Sequence, residues 1–552
     1  MVERRRDQGL VRPLDAEISR RNVLRFGAVA GAATLAAPLL SGRGASASVL
    51  SRTRDGSTVA RGGTLVGAFD EGPGGAPQQF NPLLATAGMT WLQMYYSPLV
   101  LWDVNFTRLQ GELAKSWEVT PDGLQYTFNL RKGVTWHDGQ PFTADDVKFT
   151  FELALNPASA AYVASELPPV KSIDTPNPDT VIVHLSSPSA SLMSVLAWMV
   201  ILPQHALAKI SPKSLLTSPW WHTNPVGTGP FMWKKWVTDQ YTELSAFDNY
   251  WRGRPVLDSV INEYYSQESS SVIAMEKGSS LFDLYITLPD IPVLKSTGKV
   301  NILSGPSQVF NYLAWNLRQP RFQDKRIRQA FMYAIDRQAI VQKLYQGGAT
   351  IVPGPYDQPA YKLSKPETYA YNPNLAKKLL NEANWDKIQG APINLITYYT
   401  DQTTLNVLES MQAMLGQVGI TILLQQVQAA TYTADVSGHN FDMVFAGIAD
   451  GPDPGVSAEI FTKSSAPTSN FMGITDTKIF DLYAKGKETV DLSRRAAIYK
   501  QINEEFNRSL PVGPMWVAKR FGAVSKRIKN FQFTPAPGGG QYYAGWQDWS
   551  LT

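Results

Sequence analysis

Within residues 112–200 apolar side chains recur at every second position in two runs. Tyr126, Phe128 and Leu130 form one such run, and Val181, Val183 and Leu185 form another. A period of two predicts half-buried strands, with one helix expected near the start of the segment. From residue 310 the period lengthens. RIRQAFMYAIDRQAIVQKLY (326–345) carries Ile327, Ala330, Phe331, Ala334, Ile335 and Ile340 at helical spacing, which predicts an amphipathic helix. NLAKKLLNEANW (374–385) and TLNVLESMQAMLGQVG (404–419) predict two more helices, while PINLITYY (392–399) and ITILLQQV (420–427) read as strands. Alternating helices and strands argue for an α/β lobe with a partly parallel sheet. Nearer the start, GGTLVGAFDEG (62–72) reads as a short strand entering a Gly/Pro-rich loop, and residues 48–61 read as a flexible linker. At 552 residues the chain exceeds what one core serves, so two or three domains are expected.

The longest apolar run, FGAVAGAATLAAPLL (26–40), follows Ser19-Arg20-Arg21-Asn22-Val23-Leu24-Arg25 and precedes Ala45-Ser46-Ala47. Charged region, short apolar region and small-residue cleavage site in that order are the marks of an export signal. The paired arginines resemble the twin-arginine signal, which directs export of folded proteins. Read instead as a membrane anchor, the run is weakly apolar and short against the roughly 20 residues a span requires. The formal charge of +4 also belongs to this leader: residues 1–47 hold eight Arg and four acidic residues, and the remainder is balanced. A nucleic-acid or other polyanion partner therefore has no support. Cysteine is absent, which excludes disulfides, thiolate metal sites, thiol nucleophiles and a lipid-modified cysteine after the signal. The expected product is an exported, extracytoplasmic protein, soluble after signal removal.

Catalytic chemistry finds little support. The five histidines show no paired metal-ligand spacing; His184 reads as a solvated strand residue. A Walker A loop and a GxSxG elbow are absent, and GTGPF (227–231) lacks the third glycine of a dinucleotide fingerprint. The densest polar stretch, WHDGQPFTADDVKFTFE (136–152), has a structural explanation. Thr143 and Asp146 fit a capping box, and Phe142 and Val147 fit a hydrophobic staple. Asp145 and Asp146 lie in the first helical turn, where the dipole favours negative charge. Asp138-Gly139 supplies a turn, Val147, Phe151 and Leu155 form the buried face, and Glu152 fits the solvated one. No cofactor and no metal are expected.

LAKSWEVTPDGLQYTFNLRKGVTWHDGQPFTADDVKFTFE (113–152) resembles a segment of the extracytoplasmic solute-binding proteins of the dipeptide/oligopeptide/nickel class (solute-binding protein family 5), which serve ATP-binding-cassette importers. The resemblance continues in order through NPVGTGPFMWKKW (224–236), FDNYWRGRPVLD (247–258), LAWNLRQPRFQDKRIRQAFMYAIDRQAIV (313–341), YNPNLAKKLLNEANW (371–385) and FDMVFAGIADGPDP (441–454). It implies an α/β, periplasmic-binding-protein-like fold of type II in its large cluster C form, with two lobes joined by two hinge segments. Residues 62–111, 201–309 and 517–552 would make the first lobe, 112–200 an extra strand-rich subdomain on it, and 310–516 the second lobe.

The same resemblance implies a non-enzymatic, monomeric binder that encloses a small solute and delivers it to permease subunits of the importer. An oligopeptide is the leading ligand, an oligosaccharide the alternative within the class, and a secreted hydrolase the rival outside it. In peptide-binding members an aspartate near a D-x-x-[DE]-P motif holds the ligand's α-ammonium. Asp450, in Asp450-Gly451-Pro452-Asp453-Pro454, matches that anchor; the alternative is a loop-ordering role, which is also the expectation for Asp453. Trp315 and Asn316 follow a short strand at the first crossing, where the Trp either stacks on ligand or packs the hinge. Phe80, Asn81, Trp91, Trp220, Trp221, Tyr432, Asn470 and Phe471 are further ligand-binding candidates on loops.

Overall fold

Two long strands are shared between the lobes. Val300–Trp315 has 16 residues and Val512–Ser525 has 14, and they lie antiparallel from Val300↔Ser525 to Ala314↔Val512. The computed structural model describes residues 50–52, 58–69, 80–83, 89–104, 106, 108–265, 268–449, 453–455, 458–462, 469–533 and 545–552. The export signal, part of the linker and Asp450 lie outside the described residues.

The register of the two long strands shifts twice, by one residue between Asn311 and Tyr312 and more widely between Pro306 and Phe310. Pro306 faces Lys519 and Phe310 faces Val517, so four residues on one strand span two on the other, with Gln308 at a φ of 59°. Such a bulge bends the sheet, and here it separates the parts of the two strands that belong to different lobes. On one side Phe282–Ile286 adds to the return strand Val512–Ser525. On the other, Met443–Ala449 pairs with the outgoing strand Val300–Trp315, and Ile393–Thr397 and Ile422–Gln426 follow in parallel. The partly parallel sheet expected after residue 310 is this half.

The first lobe adds a second sheet in the order Phe231–Val237, Tyr241–Ala246, Ser259–Glu263, Thr64–Gly67, its last pair parallel. Beside it stands an antiparallel sheet in the order Ala114–Val119, Gln125–Leu130, Thr180–Leu185, Val170–Asn177. Its alternation is as the sequence predicts: Tyr126, Phe128, Leu130, Val181, Val183 and Leu185 all point into the core. One large hydrophobic cluster serves the first lobe and this subdomain, a smaller one around Met275, Leu294 and Val300 also belongs to the first lobe, and two serve the second lobe.

Two expectations need correction. The stretch 326–345 is not a single helix: Lys325–Ala334 ends at Ile335, which is extended, and Asp336 caps a new helix, Arg337–Lys343, by accepting from Ala339 N–H at 2.8 Å. All six apolar residues of the stretch are nevertheless buried, because a kink between two helices preserves a shared inner face. Leu155, expected inside, is 37% exposed at the last residue of its helix.

The polar stretch 136–152 is architecture. Thr143 N–H donates to Asp146 Oδ2 at 2.9 Å and closes the capping box. The buried Asp146 also accepts from Gln204 N–H at 2.9 Å and Trp136 Nε1 at 3.3 Å. His184 is not merely solvated, since its Nε2 meets Asp174 at 3.0 Å. His137 clamps the GTGPF loop. Gly227 N–H donates to its Nδ1 at 3.1 Å and its Nε2–H donates to Gly229 O at 3.0 Å, which fixes the neutral tautomer.

Burial pushes the His137 pKa down to about 4. The unfolded chain, with an ordinary imidazole near 6.5, binds the proton more readily between those values. Stability from this site is therefore full above about pH 6.5 and is lost as pH falls towards 4, by up to roughly 3 kcal/mol. The opposite sign holds for Asp283. Burial raises its pKa to about 6, so folding gains from this group as pH falls. Urea unfolding at pH 7 and pH 4.5 of the parent and His137→Asn isolates the first effect. A variant that loses as much stability in acid as the parent would refute it.

Candidate functional site

In open α/β sheets ligands meet the carboxyl ends of parallel strands. Three such ends converge in the second lobe. Ile393–Thr397 runs into Tyr398 and Tyr399, Ile422–Gln426 leads to the helix Ala429–Gly438 that carries Tyr432, and Met443–Ala449 ends against Val309 beside the bulge.

The aromatic side chains there form one wall. Tyr398 stacks on Tyr399 with centroids 4.7 Å apart, and Tyr432 stands edge-on to Tyr398 at 4.8 Å. Tyr399 OH accepts from Asn311 Nδ2 at 3.2 Å, which ties the wall to the outgoing strand. Burial raises the pKa of both Tyr399 and Tyr432, so both hydroxyls stay protonated at neutral pH. A glycine is needed beneath: a Cβ at Gly447 would lie 2.4 Å from Tyr399 OH and 2.6 Å from Val309 Cγ1.

Most of the aromatic and amide residues singled out from the sequence are occupied by protein. Trp315 ends the outgoing strand fully buried in the second-lobe core, edge-on to Phe331, as packing would have it. Asn316 donates to Phe441 O at 3.0 Å and His439 O at 3.2 Å and so fixes the entry to Met443–Ala449. Phe80 sits in a box of Trp91, Trp233 and Trp236, with both Phe80 and Trp91 buried. Asn81 accepts from Leu83 N–H at 3.0 Å, and Trp221 Nε1 donates to Leu215 O at 2.7 Å. Asn470, at a φ of 43°, folds its amide onto Ile474 N–H and Ile474 O, and Phe471 packs on Phe441. In these eight the polar atoms or ring faces are covered by protein. Trp220 and Tyr432 remain half-buried.

Asp453 is buried and orders its loop. Arg495 grips it with two bonds, of 2.6 and 3.0 Å, and Gly455 N–H donates to it at 2.8 Å. Burial works against the Arg495 charge, but the Asp453 carboxylate outweighs it and raises the guanidinium pKa. Sequence reasoning passed over Tyr398, Tyr399 and Asn311, although the Tyr pair at the end of PINLITYY was a visible signal. Among the described residues no cluster of His, Asp and Glu is arranged to hold a metal ion.

The profile described as "Bacterial extracellular solute-binding proteins, family 5 Middle" matches residues 108–469. A Brucella melitensis protein named as an ABC transporter peptide-binding protein is 41% identical over 497 residues, which cover 89% of this chain and 94% of that one. Among solved structures, the ABC transporter substrate-binding protein CtaP of Listeria monocytogenes superposes with a TM-score of 0.80 at 25% identity, covering 89% of this chain and all of that one. The periplasmic binding protein DppA of Helicobacter pylori, in complex with the peptide STSA, superposes with a TM-score of 0.73 at 25% identity, covering 89% and 98%. The two lobes, their paired crossing strands and these likenesses agree: the chain belongs to the bacterial extracellular solute-binding proteins of family 5.

Proposed function

We propose that this protein captures an oligopeptide between its lobes and hands it to the permease of an ABC importer, with Asp450 holding the ligand's α-ammonium. One observation carries the choice of residue. Met443–Ala449 ends at the bulge, where Ala449 pairs with Val309, and Asp450 is the next residue of the chain. An ammonium offered to a carboxylate there forms a charge-assisted hydrogen bond. Closing without it would bury an uncompensated charge, so one residue couples occupancy to closure. The aromatic wall of Tyr398, Tyr399 and Tyr432 supplies flat apolar surface nearby, with main-chain pairing as in an added strand. The Brucella relative's name and the peptide bound to the Helicobacter protein favour the same ligand class.

The leader SRRNVLR with its apolar run is read as a twin-arginine signal, which would place the mature chain outside the cytoplasmic membrane. Among the described residues no helix is long and apolar enough to cross a membrane. Binding without turnover is expected, since nothing in the family role calls for catalysis.

Native mass spectrometry of the freshly purified mature protein is expected to show a ladder of peptide masses. Hexose increments would sink the peptide reading. With one of the peptides so identified, Asp450→Asn is expected to weaken affinity by at least about tenfold in titration calorimetry, near 1.4 kcal/mol. Unchanged affinity would remove Asp450 as the anchor.

A further inference from the structure

The strand-rich subdomain also touches the second lobe directly, outside the crossing strands. Its loop 186–191 leaves Thr180–Leu185 and is held by Tyr126, whose OH donates to Ser189 O at 2.7 Å. Ala190 N–H then donates to Lys487 O of the second lobe at 2.9 Å. Gly123 fits between Pro188 and Val490, where a Cβ would lie 3.2 and 3.0 Å from them. One turn further, Ser194 Oγ–H donates to Asp453 Oδ2 at 2.9 Å, and both residues are buried.

The chemistry of this contact suits a reversible joint. A lone carboxylate sealed into a seam between lobes costs several kcal/mol, but Asp453 already carries Arg495 from its own lobe. Both charges travel together, so parting the lobes strands neither. What changes on closure is the third partner of Asp453, a water outside and the Ser194 hydroxyl inside. An exchange of that kind holds a lobe without locking it.

We propose that Ser194 and the Asp453–Arg495 pair form a latch that populates the closed form before ligand arrives, so that the subdomain acts as the arm of the closing movement. The proposal rests on the family's two-lobe capture of solute and not on the ligand class. Ser194 is a positioning residue: it touches Asp453, three residues after Asp450 in the chain, from the opposite lobe.

The absence of cysteine makes a direct test available. Glu118→Cys in the subdomain and Glu504→Cys in the second lobe, both at exposed positions, take spin labels. Pulsed dipolar spectroscopy then reads the interlobe distances in the full mature chain after bound solute has been removed. Ser194→Ala is expected to raise the ratio of open to closed molecules by about tenfold, the equivalent of one hydrogen bond to a charged group. Ser194→Thr, which keeps the hydroxyl, is expected to restore the parent distribution. Three results would overturn the latch: a solute-free parent with no closed population, identical distributions for Ser194→Ala and the parent, or opening by Ser194→Thr as large as by Ser194→Ala. None of them bears on whether the ligand is a peptide.

Discussion

Gly227→Ala is expected to cost the first lobe more than about 4 kcal/mol, the range of the most damaging single substitutions. The added Cβ would stand 1.7 Å from Tyr95 O and 2.6 Å from its carbonyl carbon. Both atoms are backbone and cannot rotate away. Gly229 N–H donates to the same Tyr95 O at 2.9 Å, and His137 grips both glycines, so the loop has no room to slide. The GTGPF sequence is thus a seam where two backbones touch, not a phosphate cradle. Gly139→Ala is the control: nothing lies within 4 Å of its Cβ, so only the strain of a φ of 85° is paid, near 1 kcal/mol. Denaturant midpoints of both variants decide the matter. Equal midpoints would mean that the close approach at Tyr95 does not constrain the fold.

Arg328→Met is expected to destabilise the second lobe by about 4 kcal/mol, since each buried acceptor left unsatisfied costs 1–3 kcal/mol. The buried guanidinium has no carboxylate within salt-bridge distance among the described residues. It spends its donors on Leu510 O, Phe322 O, Gln323 O and Ser509 O, at 2.6–2.8 Å. Burial lowers its pKa to about 10, which leaves it charged at neutral pH. Leu510 sits at a φ of 50° where Leu492–Ser509 stops and the return strand begins. Arg328 therefore pins the corner from which the chain crosses back. Lysine, a point donor, cannot reach all four carbonyls, so Arg328→Lys is expected to recover less than half of the loss. Hydrogen exchange at residues 509–513 measures this directly. Unchanged protection in Arg328→Met would show that the corner holds itself.

The fold was legible where one periodicity decided the outcome. Tyr126, Phe128 and Leu130 alternate in sequence and in space, and the parallel strands 393–397 and 422–426 lie where apolar runs stand between helical patterns. The break at Ile335 was not legible, because buried positions continue across it and only the competing cap at Asp336 marks the end of one helix. The length of the outgoing strand was hidden for a related reason. Its first half is half-exposed and its second half is buried on both faces, so no single period covers Val300–Trp315.

Site residues were less legible than fold. Residue type and loop position cannot separate a tryptophan that stacks on ligand from one that fills a core, and Trp315, Phe80 and Trp91 are buried among protein side chains. The tyrosines that do line the strand ends follow directly on a strand that the sequence had located, which makes the end of a parallel strand a better guide than the aromatic ring itself.

The sharing of two long strands between the lobes also sets an order of events during synthesis. Val300–Trp315 emerges from the ribosome about two hundred residues before Val512–Ser525, yet the later strand is its neighbour on both sides of the bulge. Until the later strand arrives, each lobe carries an open sheet edge of the kind that invites aggregation. Contacts so distant along the chain make for slow folding. A chain halted before residue 512 would therefore lack a strand that both halves share, and neither lobe would mature ahead of the other.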